Sequence, residues 1–447
     1  MVNYAAPGVY VQELPSGARS IGRVGTSTLG IVGVAPVPDA RLDEAVPIDN
    51  WTQFVDTYVG SATEGTDLSN AVYGFFSNGG GRCWVVNVGP GGSLTGTAAA
   101  PTGLALFEAI DEIAIIAAPG YTEPEDYEDL IGHCEHPLRQ DRMAVLDSVE
   151  HVRDISALTR AATSGLPASG GSGSSGGAAG RETSEDAGSR EGEESAGAAS
   201  GGGDGGAAGS AGGVGATRSG GPRELESAGT RQSAYAALYT PWLVGRDPVS
   251  GNRVAMPPSG HVAGVWARSD ATRGVHKAPA NEPIVGALDL VRRVSRGEQE
   301  VLNPAGVNCI RYFPGEGIRI WGARTRAAEA DPYRYINVRR LVNMIKESIA
   351  DGTRWIVFEP NDYGLWASIR RDAGAFLTNV WRDGALLGKT PSEAFFVKCD
   401  EETNPAEVRD AGQVVTIIGL APVKPAEFVI FKLMQSADVT EIQGPGA

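Results

Sequence analysis

Long apolar runs are missing from this 447-residue sequence. The longest, such as 114–119, fall far short of the roughly 20 apolar residues that a membrane-spanning helix needs. We therefore expect no direct insertion into a membrane. The first ten residues also lack a basic stretch followed by an apolar one, which predicts that there is no secretory signal peptide.

Cysteine and positive charge are both scarce. The four cysteines include no close pair, whereas a disulfide framework needs dense, paired cysteines, so a reducing compartment is expected. With 38 Lys and Arg against 54 Asp and Glu, the formal net charge is −16. This charge argues against nucleic acid as a partner, because nucleic-acid binders displace counterions with basic patches. It also disfavours binding to anionic membrane surfaces.

Large apolar side chains are nearly absent from residues 163–222. This segment consists of Gly, Ser and Ala with scattered acidic residues and Arg. Such a composition cannot bury enough surface to offset the entropy lost on ordering. We predict a flexible surface insertion, with a binding role as the alternative.

The rest of the chain alternates between strand and helix patterns. Short apolar runs bounded by Gly and Pro predict strands, and apolar residues three or four positions apart predict helices. The predicted strands are 8–14, 28–34, 82–88, 113–117, 143–147, 308–313, 318–321, 354–358, 394–399, 413–421 and 427–434. The predicted helices are 51–59, 67–78, 104–110, 125–136, 335–350 and 362–381. This alternation indicates an α/β protein with α+β mixed layers. Four tryptophans among apolar neighbours are expected in its core: Trp321, Trp355, Trp366 and Trp381.

The loop from Gly384 to Thr390 ends like a nucleotide-binding P-loop and makes an NTPase the alternative function. A P-loop has four residues between its glycines, so that consecutive N–H groups surround a phosphate, and it connects a strand to a helix. Here three residues separate Gly384 from Gly388, and the loop follows a predicted helix. A helix-to-strand turn is the simpler interpretation, and we expect no cofactor.

Two clusters have the residue types of catalytic or metal sites. Residues 133–136 (HCEH) offer metal ligands, but they lie within one helical turn, and zinc needs three or four converging ligands. Ser259, His261 and Asp270 have the residue types of a hydrolytic triad, without the pattern of a nucleophile elbow. We therefore expect neither a catalytic residue nor a metal ligand.

A series of short motifs runs through the chain outside the Gly/Ser-rich segment. It opens with PGVYVQE at 7–13. It continues with YTPWL (239–243), PPSGHVAG (257–264), ARSD (267–270), GVHKAPAN (274–281), WGART (321–325), YINVRRL (335–341), FEPND (358–362), FVKCD (396–400) and APVKPAEF (421–428). Together these motifs resemble the contractile tail sheath proteins of phage tails, R-type pyocins and phage-tail-like injection systems.

The resemblance implies a sheath subunit, which is a structural protein without enzymatic activity. Another structural tail subunit is the alternative within this class. Family members form a homo-oligomer, a six-fold helical sheath of stacked rings around an inner tube protein, and contract to drive the tube through a target envelope. Baseplate and terminal cap proteins are further implied partners. Assembly in the bacterial cytoplasm is implied, followed by a place in a virion tail or extracellular particle.

The resemblance also implies a division of the chain. Residues 1–22 would be an N-terminal arm, and 23–97 with 301–426 an inner domain. Residues 98–300 would form an outer domain, and 427–447 a C-terminal strand and arm.

In the family, the arms complete β-sheets in neighbouring subunits, and a helix of the C-terminal domain attaches to the tube. The implied arm residues are Val9, Tyr10, Val11, Gln12 and Glu13, with Phe428, Val429, Ile430, Phe431, Lys432 and Leu433. Strand pairing within the subunit is the alternative for these arms. The candidate for tube attachment is helix 362–381 with the turn after it, which carries Arg370, Arg371, Arg382 and Lys389. A solvated helix face is the alternative there.

Overall fold

The computed structural model describes residues 20–97, 100–137, 139–152, 154–159 and 231–428. The predicted insertion and the predicted arm residues 9–13 and 429–433 lie outside these ranges. The strands are β1 Leu29–Gly33, β2 Ala45–Ile48, β3 Cys83–Asn87, β4 Thr95–Thr97, β5 Ala100–Gly103, β6 Ile115–Ala117, β7 Met143–Asp147, β8 Ala236–Thr240, β9 Leu243–Arg246, β10 Arg253–Met256, β11 Glu282–Pro283, β12 Asp289–Leu290, β13 Val307–Phe313, β14 Gly317–Trp321, β15 Phe395–Lys398 and β16 Ile417–Leu420.

The α-helices are α1 Trp51–Phe54, α2 Asp67–Ser77, α3 Pro124–Glu135, α4 Ser259–Arg273, α5 Arg296–Leu302, α6 Ile336–Gly352, α7 Tyr363–Arg382, α8 Pro391–Ala394 and α9 Ala406–Asp410. Helix α1 continues into a π-helical turn at Val55–Val59. Short 3₁₀ helices occupy Leu104–Ala109, Ile155–Thr159 and Arg354–Ile356.

A nine-stranded mixed sheet dominates the described part of the chain, in the order β11-β14-β13-β8-β7-β6-β1-β3-β2. The six strands from β13 to β3 run parallel, and the strands at both edges pair antiparallel. Residues of β1, β6, β7 and β8 are buried throughout, as expected for parallel strands covered on both faces. The α/β fold with mixed layers is thus confirmed.

Helices α2 and α4 cover one face of this sheet and pack closely on each other. Leu68, Val72 and Phe75 of α2 are buried in the core, and Gly260 and Gly264 of α4 face the α2 backbone. A Cβ atom on Gly264 would lie 2.4 Å from the Phe75 carbonyl oxygen. The glycines therefore permit a helix contact that any larger residue would prevent.

A separate apolar cluster joins α6, α7 and the hairpin β15–β16. Its buried members include Leu341 and Met344 of α6 and Leu377 and Val380 of α7. Helix α7 begins at the predicted cap, where an Asp362 carboxylate oxygen accepts a hydrogen bond from the Leu365 N–H at 2.8 Å.

The strand predicted at 354–358 is wrong. Residues 354–356 form a 3₁₀ turn, and Val357 and Phe358 are 64% and 101% exposed. The φ angle of Phe358 is +70°, which is outside the range of a β-strand. A five-residue apolar run does not distinguish a strand from an exposed loop, because only the neighbouring chain decides whether the run is covered.

Two smaller expectations also differ from the structure. Trp321, the last residue of β14, is 38% exposed instead of lying in the core. Glu427 and Phe428, which begin the strand predicted at 427–434, have no regular secondary structure, and the rest of that strand lies outside the described residues. The nine-stranded sheet contains strands from residues 29–87, 115–147, 236–240 and 282–321.

Candidate functional site

The C-terminal end of the described chain is tied to the body by a partly buried carboxylate. Arg324 Nε donates to Glu427 Oε1 at 2.8 Å, and Arg324 Nη2 donates to Oε2. Asn303 Nδ2 donates to Oε1 at 2.8 Å, and the Tyr335 hydroxyl donates to Oε2 at 3.3 Å. The Arg324 side chain is only 7% exposed and that of Glu427 19%. The chain beyond Phe428 therefore leaves from a fixed point.

Titration of Glu427 reflects this environment. Burial by itself would raise the pKa of the Glu427 carboxyl group. The hydrogen bonds that Arg324 and Asn303 donate to the carboxylate, together with the positive charge of Arg324, outweigh the effect of burial. They hold the pKa of Glu427 below its usual value. The carboxylate is therefore kept charged and bound.

The N-terminal end of the described chain is also anchored. A buried ion pair between Arg340 and Asp270 forms the centre of this contact, with both side chains at most 7% exposed. Thr26 donates its hydroxyl to Asp270 Oδ2 at 2.6 Å, and Arg340 Nη2 donates to the Thr26 carbonyl oxygen at 2.8 Å. The Val24 N–H donates to Ser348 Oγ at 3.1 Å.

The two anchored ends lie near opposite ends of α6. Glu427 contacts Tyr335, the residue before α6, whereas Ile21 lies against Gly352, its last residue. A helix of 17 residues is about 25 Å long. The two terminal segments therefore leave the described body at well separated places.

The hairpin β15–β16 is a two-stranded sheet with one covered and one open face. Phe395 and Val397 are partly buried against the cluster that α6 and α7 form. Phe396 and Ile417 are 56% and 48% exposed on the other face. No third strand pairs with this hairpin within the described ranges. An isolated two-stranded sheet is only marginally stable, so this hairpin has the character of an incomplete sheet.

The four basic residues expected to face the tube are all exposed. Arg370 Nη1 donates to the Cys399 carbonyl oxygen, and Arg371 Nε donates to Asp372 Oδ1 at 3.0 Å. Arg371 and Arg382 are eleven residues apart, close to three helical turns, so they share one side of α7. Lys389 lies in the loop after the helix.

The loop from Gly384 to Thr390 lacks the geometry of a P-loop. It follows α7 and precedes the four-residue helix α8. The Leu387 N–H donates to the Ala421 carbonyl oxygen at 2.7 Å, and the Lys389 N–H donates to a Glu393 carboxylate oxygen at 2.8 Å. These N–H groups are occupied, and an acidic side chain lies where a P-loop would hold phosphate. The alternative of an NTPase is therefore not supported.

The suggested hydrolytic triad does not assemble. Ser259 donates its hydroxyl to Asp147 Oδ2 and its N–H to Asp147 Oδ1, both at 2.7 Å. Asp270 belongs to the ion pair with Arg340. His261 is buried against Gly74 and Gly286, and its Nδ1 has no hydrogen-bond partner among the described residues. Burial lowers the pKa of His261 to about 4, so the ring is neutral near pH 7.

Asp147 is a buried polar residue that the sequence analysis did not single out. It accepts hydrogen bonds at the start of α4 and from the Gly120 N–H, and burial raises its pKa to about 7. Asp67 lies on the other side of Gly120, and burial, with a contribution from Glu150, raises its pKa to about 6. Ser259 is 112 positions from Asp147, and no local pattern relates them. The position of Asp147 at the helix start indicates a structural role.

Residues 133–136 form the end of α3. His133 lies 3.3 Å from Arg142 Nη1, and Cys134 is buried in the core. Across the described part of the chain, no three His, Cys, Asp or Glu side chains converge as a metal site requires. Within the same ranges, no helix combines the length and apolar content needed to cross a membrane.

Comparison with known proteins places this geometry in a family. Residues 223–326 match the model of the phage tail sheath protein central domain, and residues 329–435 match that of the phage tail sheath C-terminal domain. The fold resembles the sheath complex of an extracellular contractile injection system, PVC, in its contracted state, with a TM-score of 0.69 and 25% identity over 98% of this chain and 99% of that one. These matches identify residues 223–435 as the central and C-terminal domains of a phage tail sheath protein.

Other sheath proteins agree with this assignment. The helical sheath of the anti-feeding prophage in its contracted state matches with a TM-score of 0.67 and 26% identity, over 97% of this chain and all of that one. The tail sheath protein of Vibrio phage KVP40 is 31% identical over 218 residues, which are 47% of this chain and 32% of that protein. The tail sheath protein of Enterobacteria phage T4 is 24% identical, over the same shares of the two chains. The matched part thus spans about a third of these phage proteins.

Within the sheath family models, the central-domain match contains β8 to β14. The C-terminal-domain match begins before α6 and extends past Glu427. The anchoring of Glu427 therefore joins residues from both matched domains, because Arg324 lies in the first and Tyr335 in the second.

Proposed function

We propose that this chain is the subunit of a contractile sheath. It polymerises as stacked six-subunit rings around an inner tube, and it contracts to drive that tube through a target envelope. The full-length structural likeness to PVC and anti-feeding prophage sheaths, both in contracted states, carries the proposal. Baseplate and terminal cap proteins are its further partners, and the assembled particle is a phage tail or an extracellular particle.

The free energy for contraction is stored at assembly. Two lattices of the same subunit differ in free energy, and a few kcal/mol per subunit, summed over many subunits, drives the whole sheath to one state. No catalytic step is needed at firing. We expect no hydrolysis of ATP or GTP by the purified chain, and Lys389→Ala is expected to leave nucleotide binding at background. Nucleotide binding that disappears in this variant would restore the NTPase alternative.

The two terminal segments join neighbouring subunits. Residues 9–13 and 429–433 pair as added strands on hairpins equivalent to β15–β16 in other copies, which is β-augmentation repeated through the lattice. Two observations support this role: the separated contacts of Ile21 and Glu427 at opposite ends of α6, and the open two-stranded hairpin. The main-chain hydrogen bonds of the arms then form between subunits. Assembly therefore depends on the arms, whereas the folding of each subunit's body does not depend on them.

Deletion of either arm tests this pairing. Removal of Met1–Ser16 or of Val429–Ala447 is expected to give a folded monomer with a cooperative melt and no rings or sheaths by electron microscopy. A proline at Val11 or at Phe431 is expected to act in the same way, because it removes one ladder donor. Full sheaths from a truncated chain would contradict the proposal. A truncated chain that is unfolded would instead mean that the strands complete their own subunit.

The exposed side of α7 contacts the inner tube. The basic residues Arg370, Arg371, Arg382 and Lys389 support this assignment, because they present positive charge on one helix and the loop after it. Reversal of Arg370 and Arg371 to Glu is expected to give empty or contracted sheaths in micrographs. Arg382→Glu with Lys389→Glu is a sharper pair, because neither side chain forms an ion pair within the described ranges. Arg296→Glu, on the exposed surface of α5, is the matched control. Tube-filled, extended particles from both pairs would refute this contact.

A further inference from the structure

A cavity of about 280 Å³ opens between α6 and residues 24–26, which run along this helix. We call it the α6 cavity. The chain that precedes β6 and β7, at 111–114 and Asp141, completes its lining, and Met344 and Ile113 supply apolar surface. Its volume is at the lower end of the range for small-molecule sites, so it has room for a ligand the size of one amino-acid side chain.

Asn343 lines the α6 cavity with one hydrogen-bonding group unused. The residue is only 3% exposed, and its Oδ1 accepts a hydrogen bond from Arg339 Nε at 2.8 Å. The Arg339 guanidinium lies over the rings of Tyr235 and Tyr333, which holds the amide in one orientation. Asn343 Nδ2 donates to no atom of the described residues, so its N–H groups face the cavity. Buried polar groups are nearly always hydrogen-bonded, and this free donor therefore indicates a ligand that supplies an acceptor.

Glu347, one helical turn after Asn343, is a second polar group of the lining without a partner. Its carboxylate forms no ion pair or hydrogen bond in the part of the chain that the structure describes. Burial raises the pKa of Glu347 above its usual value, and the charges of Asp141 and Asp111 add to this rise. A partly buried carboxylate is costly to keep ionised without a counter-charge, so the position favours a cation.

The other carboxylates of the lining have partners. Their ion pairs are Asp111 with Arg139, Glu112 with Arg82, Asp141 with Arg142 and Asp351 with Arg354. Arg340, which also lines the cavity, is paired with Asp270. Glu347 is thus the lining carboxylate that no basic side chain pairs with inside the described ranges.

The two free groups are spaced like the two ends of a basic residue. Asn343 and Glu347 are four positions apart on α6, so they are neighbours on one side of the helix and about 6 Å apart along its axis. The stem of an arginine side chain separates the guanidinium from the residue's own carbonyl oxygen by a comparable length, and it packs well against apolar surface such as Met344. A guanidinium donates two parallel hydrogen bonds to a carboxylate, which favours arginine over lysine.

We infer that the α6 cavity binds an arginine residue, with its guanidinium group on the Glu347 carboxylate and its carbonyl oxygen on Asn343 Nδ2. Residues 24–26 form one wall of the site, so the bound residue also contacts the segment through which the N-terminal region joins the body. The site lies within one subunit and does not depend on the proposed sheath.

Binding of N-acetyl-L-arginine amide to the unassembled full-length chain tests this site. We expect saturation-transfer NMR to detect the bound amide. The ligand control is N-acetyl-L-citrulline amide, which has the same shape without the charge, and it is expected to bind at least about tenfold more weakly, as for loss of a charge-assisted hydrogen bond. Equal binding of the two amides, or no saturation transfer to the arginine amide, would overturn the inference.

Glu347→Gln separates binding from folding. The variant keeps the shape of the side chain and removes an unpaired charge, so the chain is expected to melt at the same temperature or higher. Its affinity for the arginine amide is expected to fall about tenfold or more. Glu300→Gln, which removes an exposed carboxylate from α5, is the matched control and is expected to keep the wild-type affinity. Wild-type affinity in Glu347→Gln would contradict the proposed site.

Asn343→Asp tests the contact with the carbonyl oxygen. The variant keeps the acceptor for Arg339 and loses the donor for the ligand. The wild type is expected to prefer the arginine amide over propylguanidine, which has no carbonyl group, and the variant is expected to lose this preference. A preference that survives in the variant would show that Asn343 does not bind the ligand and would overturn the assigned geometry.

Assembled particles distinguish two sources of the arginine residue. If it belongs to a neighbouring copy, assembly fills the site, and particles are expected to bind the arginine amide far more weakly than the unassembled chain does. If it belongs to a free ligand, particles and unassembled chain are expected to bind the amide equally. A chain that binds the amide but never forms tubular particles would refute the sheath proposal alone, whereas normal sheaths from a chain that does not bind it would refute this site alone.

Discussion

Replacement of Glu427 by Gln is expected to have two effects at once. It destabilises the body of the subunit, and it releases the C-terminal segment from that body. Glu427 accepts hydrogen bonds from Arg324, Asn303 and Tyr335, and its partner Arg324 is 93% buried. The amide keeps the shape of the side chain but loses the charge. Its NH₂ group would also face donors from Arg324. The variant therefore leaves a buried guanidinium without its counter-charge.

The magnitude follows from the burial of this pair. Removal of one partner of a buried ion pair costs about 3–5 kcal/mol, because the remaining charge stays desolvated. Glu427 is 19% exposed, so water reaches it in part, and about 3 kcal/mol is the expected loss in the free energy of unfolding. The double variant Arg324→Met/Glu427→Met removes both charges, and it is expected to differ from the wild type by less than about 1 kcal/mol.

Urea unfolding of the unassembled chain measures this loss, with Glu316→Gln as the control. Glu316 pairs with Arg319 at 3.2 Å but is 60% exposed, and such pairs contribute about 0–1 kcal/mol. The wild type is also expected to lose the stabilisation from Glu427 as pH falls through the depressed pKa of this group, whereas the Gln variant does not. A loss for Glu427→Gln no larger than that for Glu316→Gln would refute the reasoning.

Three further predictions concern the body and the insertion. Burial raises the pKa of Asp147 to about 7, so the folded state favours the neutral carboxyl group. The resulting contribution to the free energy of unfolding is complete below about pH 4 and is lost as pH rises through 7. The wild type is expected to lose about 2 kcal/mol between pH 5.5 and 8 in urea unfolding, and Asp147→Asn is expected to remove this dependence. Gly264→Ala is expected to lower stability by about 2 kcal/mol or more in thermal melts, because its Cβ atom would overlap the Phe75 carbonyl oxygen. Gly132→Ala is the control, and it is expected to be neutral or stabilising because the space around Gly132 is open. Deletion of Ser164–Gly221 is expected to leave sheath assembly intact in micrographs, and soluble protein that forms no sheaths would show that this segment is structural.

Local patterns in the sequence predicted five of the nine α-helices and eight of the sixteen strands in the described ranges. Helix α7 is an example, because its apolar residues recur at helical spacing and Asp362 supplies the cap, both of which act within a few residues. The buried strands β1 and β7 were predicted for the same reason, as short apolar runs between turns. The family was also readable from short motifs, because each motif is contiguous in the chain.

The contacts between distant segments were decided by the tertiary structure. Ser259 was considered with Asp270 because they are close in sequence, yet the fold pairs Ser259 with Asp147 and Asp270 with Arg340. The apolar residues 354–358 resemble a strand, but no neighbouring strand covers them, and Phe358 projects into solvent. Local propensity acts over one or two helical turns, whereas burial and charge pairing depend on which segments the sheet brings together. The sequence therefore specifies the elements, and packing decides which of their side chains remain exposed for another subunit to contact.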